Sequence, residues 1–396
     1  MTPTRKEFLK RLARLMKLQN QSSMPVTSAL LDCMDLVITP EETDFLLKMG
    51  SGPISYEQAR ELTTQSAADF RGFFDTLLKK GLVWPRDYDP DGNRFDLAPI
   101  LVGWFELQLC GGEETTEKRE FARCLDRLLN DWAKYNIFPL RSLQNYYFLK
   151  NGSPNQRITP VSPHDANKKS VKIEVKRKIV LPDDQILPSR DLHRLLKKYG
   201  RKDNIALMHC FCRQWRKLAE EPCGYEYPAE SCIAIGPITA YIVRYGFGRH
   251  ASVEEALEVI EKTRKAGAVH TVFYEKDDMK LPEIGICNCC PDCCGLLGSY
   301  NRGAIPLQFK CDYLAHIAHG DQCTGCEQCT THCPVNAVSL VRQTAYIEKT
   351  LCIGCGQCAS RCPEKVIVLQ AQERVVKLPL KKKSALHMKK KCLKGL

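Results

Sequence analysis

The stretch Asp321-Gln-Cys-Thr-Gly-Cys-Glu-Gln-Cys-Thr-Thr-His-Cys-Pro334 returns 29 residues on as Thr350-Leu-Cys-Ile-Gly-Cys-Gly-Gln-Cys-Ala-Ser-Arg-Cys-Pro363. Each copy reads Cys-x2-Cys-x2-Cys-x3-Cys-Pro. Three evenly spaced thiols wrap one iron–sulfur cube, and the fourth, displaced past a turn and followed by Pro, reaches a second cube. The spacing therefore predicts two [4Fe-4S] clusters with exchanged fourth ligands. Cys323, Cys326, Cys329 and Cys362 would hold the first cluster, and Cys352, Cys355, Cys358 and Cys333 the second. Structural zinc usually pairs two short Cys-x2-Cys knuckles around one tetrahedral ion and has no use for a third evenly spaced thiol plus Cys-Pro. Gly325 and Gly354 sit between first and second ligands, where the backbone must turn tightly and glycine tolerates the dihedrals required.

On these residues the segment resembles the dicluster bacterial ferredoxins over about 60 positions, Phe309 to Leu369. The resemblance implies electron transfer between redox partner proteins in anaerobic metabolism. The apolar runs after each Cys-Pro, Val335 to Val341 and Val366 to Leu369, read as half-buried strands that shield the clusters.

A chain of 396 residues leaves room for more than this module, since a domain takes roughly 150 residues. Hydrophobic content of 44% with 26% charged residues suits buried cores rather than disorder. There is no transmembrane segment in the reading, because nowhere do 18 or more apolar residues follow one another, and the basic, amphipathic stretch Thr4 to Leu18 is not a signal peptide. A cytoplasmic location is expected. All but Cys33, Cys110, Cys124 and Cys392 of the 22 cysteines fall between Cys210 and Cys362, a crowding that in a cytosolic chain means metal ligation rather than disulfides. The net charge of +12 is largely a tail: after Glu373 come Arg374, Lys377, Lys381, Lys382, Lys383, Lys389, Lys390, Lys391 and Lys394. Such a tail is read as a solvated terminus, with an acidic partner, nucleic acid or an anionic membrane surface as the other uses.

Composition divides the chain into a helical unit (1–150), a Pro/Asn/Ser-rich linker (151–170), a cysteine-rich α/β middle domain (171–307), the dicluster domain (308–370) and the basic tail (371–396). The fold class is α+β multidomain. In the first unit, helices at Glu41 to Met49, Ser55 to Thr63 and Ser66 to Lys80 precede a Gly81 stop and a hairpin of Leu82 to Trp84 with Arg94 to Leu97. That order resembles a winged-helix domain. Its third helix mixes Asp69, Arg71 and Asp75 with Lys79 and Lys80, so protein docking is favoured over DNA reading.

The middle domain carries nine thiols in two groups. The first comprises Cys210, Cys212, Cys223 and Cys232; the second is Cys287-Asn-Cys-Cys-Pro-Asp-Cys-Cys294, containing Cys287, Cys289, Cys290, Cys293 and Cys294. Four thiolates suffice for a further cluster or a zinc ion, and Cys210, Cys212, Cys223 and Cys232 are one plausible set; redox-active or merely reduced thiols remain the third reading. His209, Arg213 and His332 stand beside these ligands as candidates for tuning them. Ser252 caps an amphipathic helix over Val253 to Ala266, and Val269 to Tyr274 reads as a strand. The whole layout resembles multi-cluster 4Fe-4S binding proteins of anaerobic bacteria. The expectation is an electron carrier or redox subunit rather than an enzyme. The alternatives are a redox-responsive winged-helix regulator and an iron–sulfur reductase whose Cys-Cys-Gly group, ending at Gly295, is catalytic.

Overall fold

The computed structural model describes residues 1–16, 26–89, 91–135, 156–159, 192–200, 204–274 and 283–379. The first unit is built from helices whose starts are written in the sequence. Thr2, Thr27, Thr39, Ser55 and Ser66 each accept a backbone N–H at the head of Pro3–Leu15, Ser28–Val37, Pro40–Met49, Tyr56–Glu61 and Ala67–Lys79. Glu42 and Gln58 return the bond to the cap backbone and close two capping boxes. After Ala67–Lys79 the chain reverses at Gly81, whose φ of +66° stops the helix.

Three short strands follow from that layout: β1 (Ile54–Ser55), β2 (Val83–Pro85) and β3 (Arg94–Leu97), ordered β1-β3-β2 and antiparallel. Phe45, Phe70 and Phe74 from the helices pack on one another, and Phe74 meets Phe95 of β3 with ring centroids 4.8 Å apart and edge to face. The helix Thr116–Tyr135 packs on Ser28–Val37 and on Phe211–Leu218, so this core runs without a break into one side of the middle region. Tyr241 Oη, buried, donates to Leu78 O at 2.9 Å and pins the two together.

The rest of the chain is organised by one sheet. Its strands are β4 (Gln156–Ile158), β5 (Ile205–His209), β6 (Glu230–Ile235), β7 (Arg249–His250), β8 (Val269–Tyr274), β9 (Glu283–Cys289), β10 (Leu307–Ile317) and the last strand of the chain, Ile367–Leu378. A separate hairpin joins β11 (Val338–Val341) to β12 (Thr344–Ile347), which makes the last strand β13. The eight-stranded order is β13-β10-β4-β8-β9-β6-β5-β7, antiparallel except where β4 meets β10. The helix Val253–Lys265, with the expected Ser252 cap, covers one face.

Two boundaries differ from the sequence reading. β4 falls inside the stretch read as a linker, because Arg157 is fixed there by a buried ion pair with Asp312 of β10, 3.2 Å from both carboxylate oxygens. β13 runs to Leu378, eight residues into the stretch read as a basic tail: its partner β10 is long enough to hold it from Leu307↔Leu378 to Ile317↔Ile367. The lysine-rich residues 380–396, with Cys392, lie outside the described residues, as does most of the linker. Both cysteine quartets are thus enclosed between two paired strands of the sheet. Among the described residues no helix is long and apolar enough to cross a membrane.

Candidate metal–sulfur sites

In the repeat, each quartet carries its third cysteine on a one-turn helix, Gln328–Thr331 in the first copy and Gln357–Ser360 in the second. Gly325 and Gly354 adopt φ of +67° and +65°, the left-handed conformation expected of them. The folded chain carries the fourth cysteine of each copy across to the other. Cys323, Cys326, Cys329 and Cys362 line one pocket, with Leu340, Ala345, Val366 and Ile367 around them. Cys355 has Cys358, Cys333 and Cys352 as its charged neighbours. Burial pushes the thiols of Cys329, Cys333, Cys355 and Cys358 up, because a lone thiolate is poorly solvated there. A cationic metal core removes that penalty, and Ala337 N–H, 3.1 Å from Cys333 Sγ, supplies a donor to the sulfur. Four soft donors converging on one pocket, with a second quartet grouped likewise, fit iron–sulfur clusters.

The nine middle thiols do not divide along their sequence groups. Cys223 leaves the first group to join Cys290 and Cys293, and the three sulfurs lie within 4.8 Å of one another. Cys290 Sγ is 3.5 Å from Cys223 Sγ and 3.1 Å from Cys293 Sγ, and Cys293 N–H donates to Cys290 Sγ at 3.1 Å. Hydrogen bonds from Cys290 and Cys293 hold the Cys223 thiol far below its ordinary value, the pattern of a site ready to lose protons to a metal.

The remaining six thiols form a second, continuous set. Cys232 of β6 stands opposite Cys287 of β9, and Cys289 follows two residues on, hence on the same face of the sheet. Cys287 interacts with Cys232 and Cys289, Cys294 with Cys289 and Cys212, and Cys212 with Cys210 at the head of the helix Phe211–Leu218. Gly295 N–H donates to Cys212 Sγ at 3.0 Å and Leu296 N–H to Cys294 Sγ at 3.3 Å. The four-thiol set read from the sequence therefore loses Cys223 to the other group, because the loop after Cys289 folds back beneath it. Asp292 Oδ2 fixes that loop by accepting Gly224 N–H at 2.8 Å.

Other expectations resolve differently. Cys33 and Cys124 have no partner along the chain, yet they hydrogen-bond each other; with Arg127 Nη2 2.8 Å from Cys124 Sγ, the Cys124 thiol is lowered to about 6. Cys110 is buried beside Cys232 and Cys210, and Cys311 is buried in the sheet. His332 is half-buried, its Nδ1 2.8 Å from Gln328 O, and the His209 ring lies against Gly112. Arg213 is the neighbour that does reach the thiols: its charge acts on Cys293, Cys223 and Cys290, it sits 4.5 Å over the Tyr227 ring, and Nη1 donates to Tyr225 O at 2.6 Å.

Residues without any motif join the repeat to the middle thiols. Asn301 Nδ2 donates to Pro291 O at 2.9 Å and to Pro334 O at 3.1 Å, tying the Cys290–Cys293 turn to the Cys333–Pro334 peptide. Gln357 Nε2 donates to Ala268 O at 2.6 Å and Arg361 Nη2 to Lys265 O at 2.8 Å. Cys289, Cys290, Cys293 and Cys294 share one apolar core with Val335, Ile353, Val366 and Ile367 of the repeat. No periodicity could have disclosed these contacts, since they join segments far apart in sequence.

The family model described as a 4Fe-4S dicluster domain matches residues 321–367. No curated protein and no solved structure matches the chain. The chain carries a ferredoxin-type 4Fe-4S domain and is an iron–sulfur protein.

Proposed function

We propose that the protein is an electron carrier or redox subunit of oxygen-poor metabolism, in which two [4Fe-4S] clusters exchange electrons with cluster chemistry in the middle domain. The observation that carries this reading is the arrangement of the eight repeat cysteines: the pocket of Cys323, Cys326 and Cys329 is completed by Cys362 from the other copy. Clusters of this kind take up and release single electrons. The chain's own part is to place them. Asn301, Gln357 and Arg361 fasten the repeat to the Cys290–Cys293 turn and to the β8 end of the sheet, so partner-facing and inner thiols keep one geometry. Burial of Cys329, Cys352 and Cys358 keeps water from the sulfurs.

The first unit supports a winged-helix reading, with helices Pro40–Met49, Tyr56–Glu61 and Ala67–Lys79 followed by the β2–β3 hairpin. Its use is docking and support. Lys79 pairs with Asp75 at 2.7 Å and Lys80 with buried Glu42 at 2.7 Å, leaving the end of the third helix little free charge for phosphates. The hairpin turn is tied to the middle region through Asp91 and Arg244, 2.8 Å apart.

Iron and acid-labile sulfide analysis of protein purified without oxygen, with electron paramagnetic resonance of the reduced form, tests the proposal. At least about eight irons per chain and the interacting spins of two neighbouring clusters are expected. A colourless, zinc-loaded protein would refute it.

A further inference from the structure

The two Cys-Cys dipeptides of the middle region are each split. Cys289 and Cys294 face the six-thiol set, whereas Cys290 and Cys293, their immediate neighbours, face Cys223. Two separate groups of sulfur are therefore held one residue apart on the same turn. They differ in completeness. Six thiols are more than enough to fill the coordination of a cluster, but among the described residues Cys223, Cys290 and Cys293 form a group of three, one donor short of the four that a tetrahedral site or a cube requires.

Two buried polar atoms of neighbouring side chains, Arg213 Nε and Tyr227 Oη, have no hydrogen-bond partner among the described residues. Both side chains lie within electrostatic reach of Cys223 and Cys290. A guanidinium Nε–H can only donate, so what completes it must accept a hydrogen bond. A buried donor left without an acceptor is costly, and a fixed cation next to a metal position favours a negatively charged occupant.

We infer that the middle region holds two distinct iron–sulfur sites sharing the Cys289-Cys290 and Cys293-Cys294 dipeptides, and that the three-thiol site of Cys223, Cys290 and Cys293 keeps a fourth position for a small soft anion of the thiolate or sulfide class, received by Arg213 and Tyr227. The inference rests on the proposed function and extends it: the six-thiol site has donors enough of its own, and the three-thiol site is where an external ligand meets the protein.

The test uses the full chain, purified and reduced without oxygen, with carbon-13 cyanide as the soft anion. The carbon-13 nucleus adds a hyperfine coupling to the spectrum of whatever iron it binds. The coupling is expected in the wild type and in Cys212→Ser, and absent in Cys223→Ser, while the signals of the two repeat clusters persist in all three and report that each variant is folded. Arg213→Leu should raise the cyanide concentration for half-saturation about tenfold or more, the loss of one charge-assisted hydrogen bond, with iron content unchanged. Coupling that survives Cys223→Ser, or one signal abolished alike by Cys212→Ser and Cys223→Ser, overturns the two-site inference. So does an iron content of only about eight with both repeat clusters intact, an outcome that leaves the proposed function standing. Loss of the repeat signals from the wild type itself would instead sink the proposed function.

Discussion

Gly325 and Gly354 occupy the same place in the two copies of the repeat, and replacing each with alanine should give unequal results. The backbone term is shared: with φ near +66° in both, an L residue is disfavoured by about 1–2 kcal/mol. The surroundings are not shared. A Cβ on Gly354 would lie 1.9 Å from Tyr313 O and 2.6 Å from its carbonyl carbon, inside the backbone of β10, which β13 holds on its other side through Tyr313↔Ala371. A Cβ on Gly325 would meet Gln343 Oε1 at 2.7 Å and Gln343 O at 3.0 Å, both in an exposed turn. Gln343 can swing aside; β10 cannot. Overpacking against a fixed backbone adds about 1–3 kcal/mol, so Gly354→Ala should cost about 2–5 kcal/mol and Gly325→Ala about 1–2 kcal/mol. The strain falls on the Cys352–Cys355 turn, and the cluster of Cys352, Cys355, Cys358 and Cys333 should be lost first. Iron and sulfide counts with the visible absorbance of each variant during slow heating would show it. Equal losses in the two variants, or preferential loss in Gly325→Ala, would refute the argument that the sheet, rather than the repeat, sets the tolerance.

Asp312→Ala strands buried Arg157 at the β4–β10 contact and should lower stability by about 3–5 kcal/mol, read from the urea midpoint under nitrogen. His270 is enclosed, its Nδ1 2.6 Å from Asn288 Oδ1, and burial lowers it from 6.5 to about 4. The unfolded chain therefore binds a proton that the folded one refuses. Stability should fall as pH drops from about 6.5 to about 4, by roughly 3 kcal/mol in all, and a His270→Gln variant should lose that slope while keeping its stability at neutral pH.

Much of the local structure was legible. Ser252 caps a helix where expected, Val269–Tyr274 is a strand, and the three helices before the β2–β3 hairpin fall within a few residues of their predicted places. The ligand sets of the repeat are encoded in short offsets, and Cys323, Cys326, Cys329 and Cys362 line one pocket. The middle thiols were opaque for the opposite reason. Whether Cys223 sides with Cys210 or with Cys290 depends on a loop held by Asp292 and Asn301, and neither residue stands in a pattern that announces it. Arg157 shows the same limit: three residues of strand in a Pro- and Asn-rich stretch carry no periodicity, and only a charge more than a hundred residues away decides where they lie.

The β10–β13 pairing has a consequence for synthesis. β13 leaves the ribosome after both cysteine quartets have been made, so until it arrives their turns lack the strand that closes the sheet beside β10. Metal delivered earlier would meet a half-built cage. Closure of the sheet beside both quartets is therefore complete only once Leu378 has been made.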